Sequence, residues 1–274
     1  MTPAQALPLF RAYLVREEKS DATIEKYLRD AACFVRFLGT REITRELTLD
    51  YKHHLQRTYA LRSVNSMLAS LNSYLSFLGL SHFRVKNLRC QRQTYCSRDK
   101  QLTKEEYIRL LSAARGKESL HLILQTLCAT GIRVSELSYF TVEGVKAGQI
   151  SVRCKSKTRL ILIPRKLQKQ LLHFARRQKI DSGVIFRSRN GSPLHRSCIW
   201  RQMKKLCKEA GVQPGKVFPH NLRKLFARTF YRQEKDIAKL ADILGHSSIN
   251  TTRIYIMSTG EDHLRRLERL GLVV

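Results

Sequence analysis

The chain of 274 residues carries 51 Lys and Arg against 22 Asp and Glu, a formal net charge of +29, and 43% of its residues are apolar. That apolar share supports packed cores and excludes a disordered chain, and the length suits two domains of about 100–200 residues each. The charge points to a polyanionic partner, nucleic acid before any other.

Both halves are basic: residues 1–100 hold 17 Lys and Arg against nine acids, and residues 101–274 hold 34 against 13. Residues 51–98 lack a carboxylate, and between Gly144 and Lys208 Asp181 is the sole acid among eighteen Lys and Arg. A solvated face would intersperse both signs, so these stretches are expected to touch nucleic acid. Seven scattered cysteines, Cys33, Cys90, Cys96, Cys128, Cys154, Cys198 and Cys207, form no CxxC pair. They signal neither a zinc site nor a disulfide framework, and read as small buried hydrophobes in a reducing cytosol. No basic-then-apolar leader opens the chain and no apolar run is long enough to span a bilayer. A soluble cytoplasmic protein is expected.

The first domain, 1–82, reads as four helices. Leu7, Phe10 and Leu14 keep helical spacing, and after the capping pair Ser20-Asp21 an apolar face runs from Ile24 through Ala31 and Phe34 to Leu38 before Gly39. A shorter helix covers Thr48 to about Tyr59, and another starts at Ser63 and stops at Gly79. Residues 83–100 lose periodicity and read as a basic linker, either solvated or tracking a phosphate backbone.

The second domain, 101–274, opens with the capping box Thr103-x-x-Glu106. A buried helix through Leu120, Ile123, Leu124 and Leu127 ends at Gly131. Gln149–Cys154 and Arg159–Ile163 alternate as two strands around Lys155-Ser156-Lys157-Thr158, a hairpin, and Val184-Ile185-Phe186 is a candidate third strand. Helices resume near 166–179, 195–210, 219–231 and 236–244, with Trp200 expected in the core beside Ile199 and Met203. The fold class is mainly α with a small β-sheet.

Pro219 suits a first helical turn, which puts His220 and Arg223 one turn apart on the same side, near a helix N-terminus where anions are favoured. Singly, each has a plain reading as a structural histidine or a surface charge. Arg133 follows the apolar Ala129-Thr130-Gly131-Ile132, and Glu136 can hold its guanidinium, which as an isolated spacing reads equally as an internal salt bridge. Lys155 has the plain reading of one more solvated lysine. Tyr255 lies nine residues beyond His246. A phenol, with a reference pKa of about 10, needs neighbouring cations or a base to attack phosphorus. A two-metal nuclease needs carboxylates, and the basic central region offers almost none.

With these residues in view the chain resembles the tyrosine recombinases, the family of phage integrases and Xer-type recombinases. Ala129-Thr130-Gly131-Ile132-Arg133-Val134-Ser135-Glu136-Leu137 resembles the first arginine box, Pro219-His220-Asn221-Leu222-Arg223 the His-x-x-Arg box, and Leu244-Gly245-His246-Ser247-Ser248 with Tyr255 the third. The resemblance implies an N-terminal helical core-binding domain of the SAM-like type and a C-terminal catalytic domain that clamp double-stranded DNA. Arg133 and Arg223 would bind the scissile phosphate, His220 and His246 complete the cradle, and Tyr255 form a 3′-phosphotyrosyl bond. Lys155 would protonate the departing 5′ oxygen, Lys157 being the alternative two residues on. Neither metal nor other cofactor is implied. Lys224 stands where the family often has a second histidine, and Cys154-Lys155-Ser156 where it usually has Gly-Lys-Gly.

Phosphate contacts are expected from Arg89 and Arg92 in the linker and from Lys157 and Arg159 on the hairpin. The resemblance further implies strand exchange through a Holliday junction by a homo-tetramer, whose apolar tail Leu270-Gly271-Leu272-Val273-Val274 docks on a neighbouring subunit. The small size matches the simple Xer-like architecture. An architectural DNA-binding protein with a vestigial site and a type IB topoisomerase are the alternatives, the intact residue set arguing against the first.

Overall fold

A computed structural model describes residues 2–89, 98–154, 157–188, 190–257 and 260–272. They form two compact units, Met1–Arg92 and Gln93–Val274.

In the first unit α1 (Leu7–Arg16), α2 (Asp21–Leu38), α3 (Arg45–Thr58) and α4 (Leu61–Phe77) surround one core. Phe10 and Leu14 on α1, Ala31, Phe34 and Leu38 on α2, Tyr51 and Leu55 on α3, and Val64, Leu68, Leu71 and Leu75 on α4 recur at helical spacing and are buried. Each helix therefore turns a single apolar stripe inward, and the hydrophobic effect selects the bundle. One charge is buried with them. Asp30 accepts from Ser70 Oγ at 2.9 Å and pairs with Lys26, whose Nζ also donates to the Ser66 carbonyl at 3.0 Å.

The stretch expected as a linker begins bonded to this bundle. Asn72 exchanges two hydrogen bonds with the Val85 backbone, at 2.8 and 2.9 Å, and Asn65 does the same with Leu88, at 2.9 and 2.7 Å. Each side-chain amide mimics a strand neighbour, and Val85 is buried as a result. Residues 83–89 thus pack with the first unit.

The second unit opens with the capping box at Thr103 and Glu106 leading into α5 (Lys104–Ala113). Next come α6 (Glu118–Thr130), a 3-10 helix over Val134–Tyr139 and α7 (Val142–Lys146). Strands β1 (Gln149–Cys154) and β2 (Lys157–Leu162) pair antiparallel, Val152 opposite Arg159 and Cys154 opposite Lys157. The second strand therefore begins two residues earlier than its sequence pattern suggests. Then follow α8 (Arg165–Arg177), α9 (Arg196–Ala210), α10 (Pro219–Glu234), α11 (Ile237–Leu244), α12 (Ile249–Ile256) and α13 (Gly260–Glu268). One large core joins α5 to α10, and a smaller one unites Ala227, Leu240, Leu244 and Tyr255.

Two expectations fail here. Val184-Ile185-Phe186 makes only an isolated bridge, Thr141 to Val184, because this short extended run meets the loop before α7 rather than the hairpin. Trp200 is half exposed instead of core. Ile199 and Met203, four residues apart, take the inward face of α9, and a residue one step away is rotated off it; Lys204 Nζ lies 5.1 Å from the indole centroid. Among the described residues no helix is long and apolar enough to cross a membrane.

Candidate active site

The site is built around one buried guanidinium. Arg223, 1% exposed, sits in the first turns of α10, whose start is set by Pro219 and by Asn221, which donates to the Lys100 and Lys216 carbonyls at 2.9 and 2.8 Å. Two helix ends receive it. Arg223 Nη1 donates to the Gly131 carbonyl just past α6, and Nη2 donates to the Leu244 carbonyl ending α11 at 2.6 Å. The negative ends of two helix dipoles thus replace the water that the cation gives up on burial.

Both receiving turns need glycine. Gly131 has φ +62° and a Cβ there would stand 2.3 Å from Phe226 Cδ1; Gly245 has φ +64° and a Cβ there would stand 2.6 Å from Arg159 Cδ. The left-handed turn and the close approach each exclude a side chain.

The Gly245 turn delivers His246, whose Nε2 lies 3.1 Å from Arg223 Nη2 and whose Nδ1 lies 2.8 Å from Thr252 Oγ1. Arginine can only donate, so Nε2 accepts and Nδ1 carries the proton. Thr252 is fully buried on α12, and Tyr255 follows one turn later. The tyrosine ring stands edge-on between two imidazoles, 5.0 Å from the His220 centroid and 4.9 Å from that of His246. The Arg223 guanidinium lies 5.9 Å from the same ring.

Arg133 caps the 3-10 helix that follows α6 and closes the other side. Its backbone N–H and its Nη1 both donate to Glu136, at 2.7 and 3.0 Å, while its side chain keeps 38% of its surface exposed. Glu136 is buried and also pairs with Arg159 from β2. The salt-bridge reading of Arg133 and Glu136 and the phosphate-binding reading are therefore compatible, since the carboxylate aims a guanidinium that remains open to solvent.

Burial of its ring, then Lys224, Arg223 and Arg133, lower the His220 pKa to about 4, although the residue as a whole is exposed. Burial, then Arg223, Arg133 and Arg159, lower that of His246 to about 4. Burial and Arg133 lower Arg223 to about 10, which leaves it a cation at neutral pH. With both imidazoles neutral, three guanidinium groups face one carboxylate, a surplus of two positive charges. The buried Nε of Arg223 has no hydrogen-bond partner. Such a site attracts an anion with several acceptor oxygens.

The structure thus brings together Arg133, His220, Arg223, His246 and Tyr255. Lys155 and Arg92 lie outside the described residues, Lys157 enters the sheet opposite Cys154, and Arg89 is exposed on the segment after the first bundle. Arg159 is not the surface phosphate contact expected of it. Its side chain is 12% exposed and is spent on Glu136 and, at 2.8 Å, on the Ile243 carbonyl. Strand parity carried that signal, since Arg159 falls on the same parity as the buried Ile161 and Ile163 and so shares their face. Thr252 and the two receiving carbonyls escaped sequence reasoning. The position of Thr252 three residues before Tyr255, on one helical face, is the only trace it leaves.

The chain is similar to known proteins in sequence and fold. Residues 100–261 match the model of the phage integrase family. The tyrosine recombinase XerA of Pyrococcus furiosus is 31% identical over 280 residues, covering 98% of this chain and 95% of the relative. The tyrosine recombinase XerD of Halalkalibacterium halodurans is 28% identical, covering 86% and 87%. A crystal structure of XerA recombinase aligns over the full length of both chains with a TM-score of 0.55 and 27% identity. A lambda integrase tetramer bound to a Holliday junction shares the fold, with a TM-score of 0.75 at 19% identity over 95% of this chain and 78% of that one. The chain belongs to the phage integrase family. Within it, the chain is a site-specific recombinase of the tyrosine type.

Proposed function

We propose that the chain cuts and rejoins double-stranded DNA at a specific sequence through a covalent bond between Tyr255 and a 3′ phosphate. Arg133 and Arg223 hold the non-bridging oxygens of the scissile phosphodiester. Tyr255 Oη attacks phosphorus, its proton passing to a neighbouring imidazole, His220 or His246. The bond to the 5′ oxygen breaks, and Lys155, rather than Lys157, returns a proton to that oxygen. In the reverse sense, the 5′ hydroxyl of a partner strand attacks the phosphotyrosine and releases the enzyme. Because the bond energy stays in the covalent intermediate, rejoining needs no external energy source.

The charge surplus carries this reading. A phosphodiester brings one negative charge and an ionised phenol adds a second, so the pentacoordinate transition state carries two where the bound ground state carries one. A site with a surplus of two positive charges around a buried guanidinium matches the transition state better than the substrate. Tyr255 packs against the cradle of its own chain, which supports cleavage in cis.

The helical first unit and the basic faces of both units serve to hold the duplex, with Arg89, Arg92 and Lys157 on its phosphates. Exchange proceeds through a Holliday junction in a homo-tetramer working in the cytoplasm. The tail supports that assembly: Leu264, Leu267, Leu270 and Leu272 are 57 to 82% exposed on and after α13, an apolar run that a neighbouring subunit would cover. If deletion of residues 264–274 leaves both assembly on DNA and recombination intact, the tail has no such role.

A nicked suicide substrate tests the central claim. The wild type should accumulate a covalent adduct and Tyr255→Phe none, and two-site substrates should yield exchanged products. Adduct with supercoil relaxation but no exchange would assign a type IB topoisomerase instead, and binding without adduct an architectural protein.

A further inference from the structure

Arg159 is the one basic residue of the hairpin whose described side chain runs inward rather than to solvent. It lies on β2 opposite Val152, on the pleat face shared by the buried Ile161. From there it reaches two separate segments. Its Nη2 pairs with the Glu136 carboxylate, which also holds Arg133, and its Nη1 donates to the Ile243 carbonyl at 2.8 Å, three residues before His246. Its aliphatic stem fills the space under the Gly245 turn, where a Cβ would stand 2.6 Å from Cδ. Its buried Nε has no hydrogen-bond partner.

We infer that Arg159 is a positioning residue for the cleavage step, a fork that locks the Arg133 segment to the His246 turn and ties both to the strand following the hairpin lysines. The planar guanidinium is required because two acceptors on different segments must be met at once, which a single ammonium at the end of a flexible stem does not do in a fixed geometry. The residue does not touch DNA. Its charge acts through the site, as one of the cations facing His246 together with Arg223 and Arg133, with His220 also adjacent. Without the fork, Glu136 is left to Arg133 alone, the Gly245 turn loses its floor, and the hairpin is no longer in register with the phosphate cradle.

This inference rests on the phosphotyrosine reading, and a single set of measurements separates the two. Arg159→Ala and Arg159→Lys are compared with the wild type for thermal midpoint, DNA affinity across salt concentrations, and single-turnover cleavage of a nicked suicide substrate against pH. DNA affinity should stay within about threefold with an unchanged salt slope, while cleavage falls about 30-fold or more in Arg159→Ala. Arg159→Lys should fold with a near-native midpoint yet cleave about tenfold slower, with its pH profile displaced upward because the fork around His246 is broken. Should Arg159→Ala fail to fold, the lysine variant carries the test. A salt slope reduced by about one unit would mark a phosphate contact and overturn the inference, as would wild-type cleavage in Arg159→Lys. Loss of rate in proportion to the unfolded fraction, with an unmoved pH profile, would also overturn it by assigning a purely structural role. Absence of adduct from the wild type itself would instead refute the phosphotyrosine reading.

Discussion

Among the described residues charge is buried in two places, and only one of the two networks closes. In the first unit Asp30 meets Lys26 and Ser70, so that negative charge, positive charge and hydroxyl are mutually satisfied. In the second, Arg133 and Arg159 share the Glu136 carboxylate, Arg223 is held by two backbone carbonyls, and the Nε groups of Arg159 and Arg223 remain without partners. A closed network rigidifies a fold and asks nothing of solvent, whereas an open one stores an unmet demand that a ligand can satisfy. That difference, rather than burial itself, separates a structural charge cluster from one suited to bind an anion.

Arg223→Ala should break the open network most severely. Single-turnover cleavage should fall about 100- to 1000-fold, as for loss of a transition-state donor. Because the Gly131 and Leu244 carbonyls also lose their donor, urea titration should report about 2–4 kcal/mol of lost stability. A variant that cleaves normally once folded would remove Arg223 from the chemistry.

Gly131→Ala attacks the same network through the backbone. The left-handed turn alone costs about 1–2 kcal/mol, and the new methyl must push Phe226 aside. A cavity of about 340 Å³ lined by Phe226, Leu225, Phe230 and Cys128 gives that ring somewhere to go, so the protein should fold. The displaced carbonyl should nevertheless slow cleavage about tenfold. Unchanged cleavage would mean that Arg223 is held by Leu244 alone.

Asp30→Ala is the matching test of the closed network. It should lower stability by about 2–3 kcal/mol, at the low end for a buried pair because Lys26 is partly exposed. Cleavage per folded molecule should stay within about twofold, and a larger fall would show that the first unit's charge cluster also serves the reaction.

The smallest effect is a dependence on pH. His220 and His246 hold folded pKa values of about 4, against about 6.5 for the unfolded chain. Between these values the unfolded chain binds more protons, so stability is level above pH 6.5 and falls as pH drops towards 4. A double replacement of His220 and His246 by Gln should flatten that slope in thermal melts, and an unaltered slope would locate the titration elsewhere.

Much of the fold was legible because it follows from spacing alone. The stripe from Ile24 to Leu38 and the capping box at Thr103 need no tertiary information to be read. Trp200 and Val184–Phe186 were misread for the opposite reason: which face of a helix and which edge of a strand find a neighbour is settled by packing. At the site, the motifs singled out Arg133, His220, Arg223, His246 and Tyr255, which the fold brings together, since side-chain chemistry is written in residue types. What holds them was mostly invisible, because the Gly131 and Leu244 carbonyls belong to the backbone and could come from any residue. Arg159 was misassigned by its charge although its parity, shared with Ile161 and Ile163, pointed inward.

Tyr255, the proposed nucleophile, rides on a helix that cannot sustain itself. Two turns are far below the length at which an isolated helix holds together in water, so α12 owes its order to its Ser248 cap, to the Thr252 hydrogen bond with His246 and to the rings around Tyr255. Detaching it breaks those contacts and the small core of Ala227, Leu240, Leu244 and Tyr255 but leaves the large core of the second unit intact, so its opening free energy is below that of global unfolding. Amide protons of residues 249–256 should therefore exchange through local opening, well before those of α6 or α10.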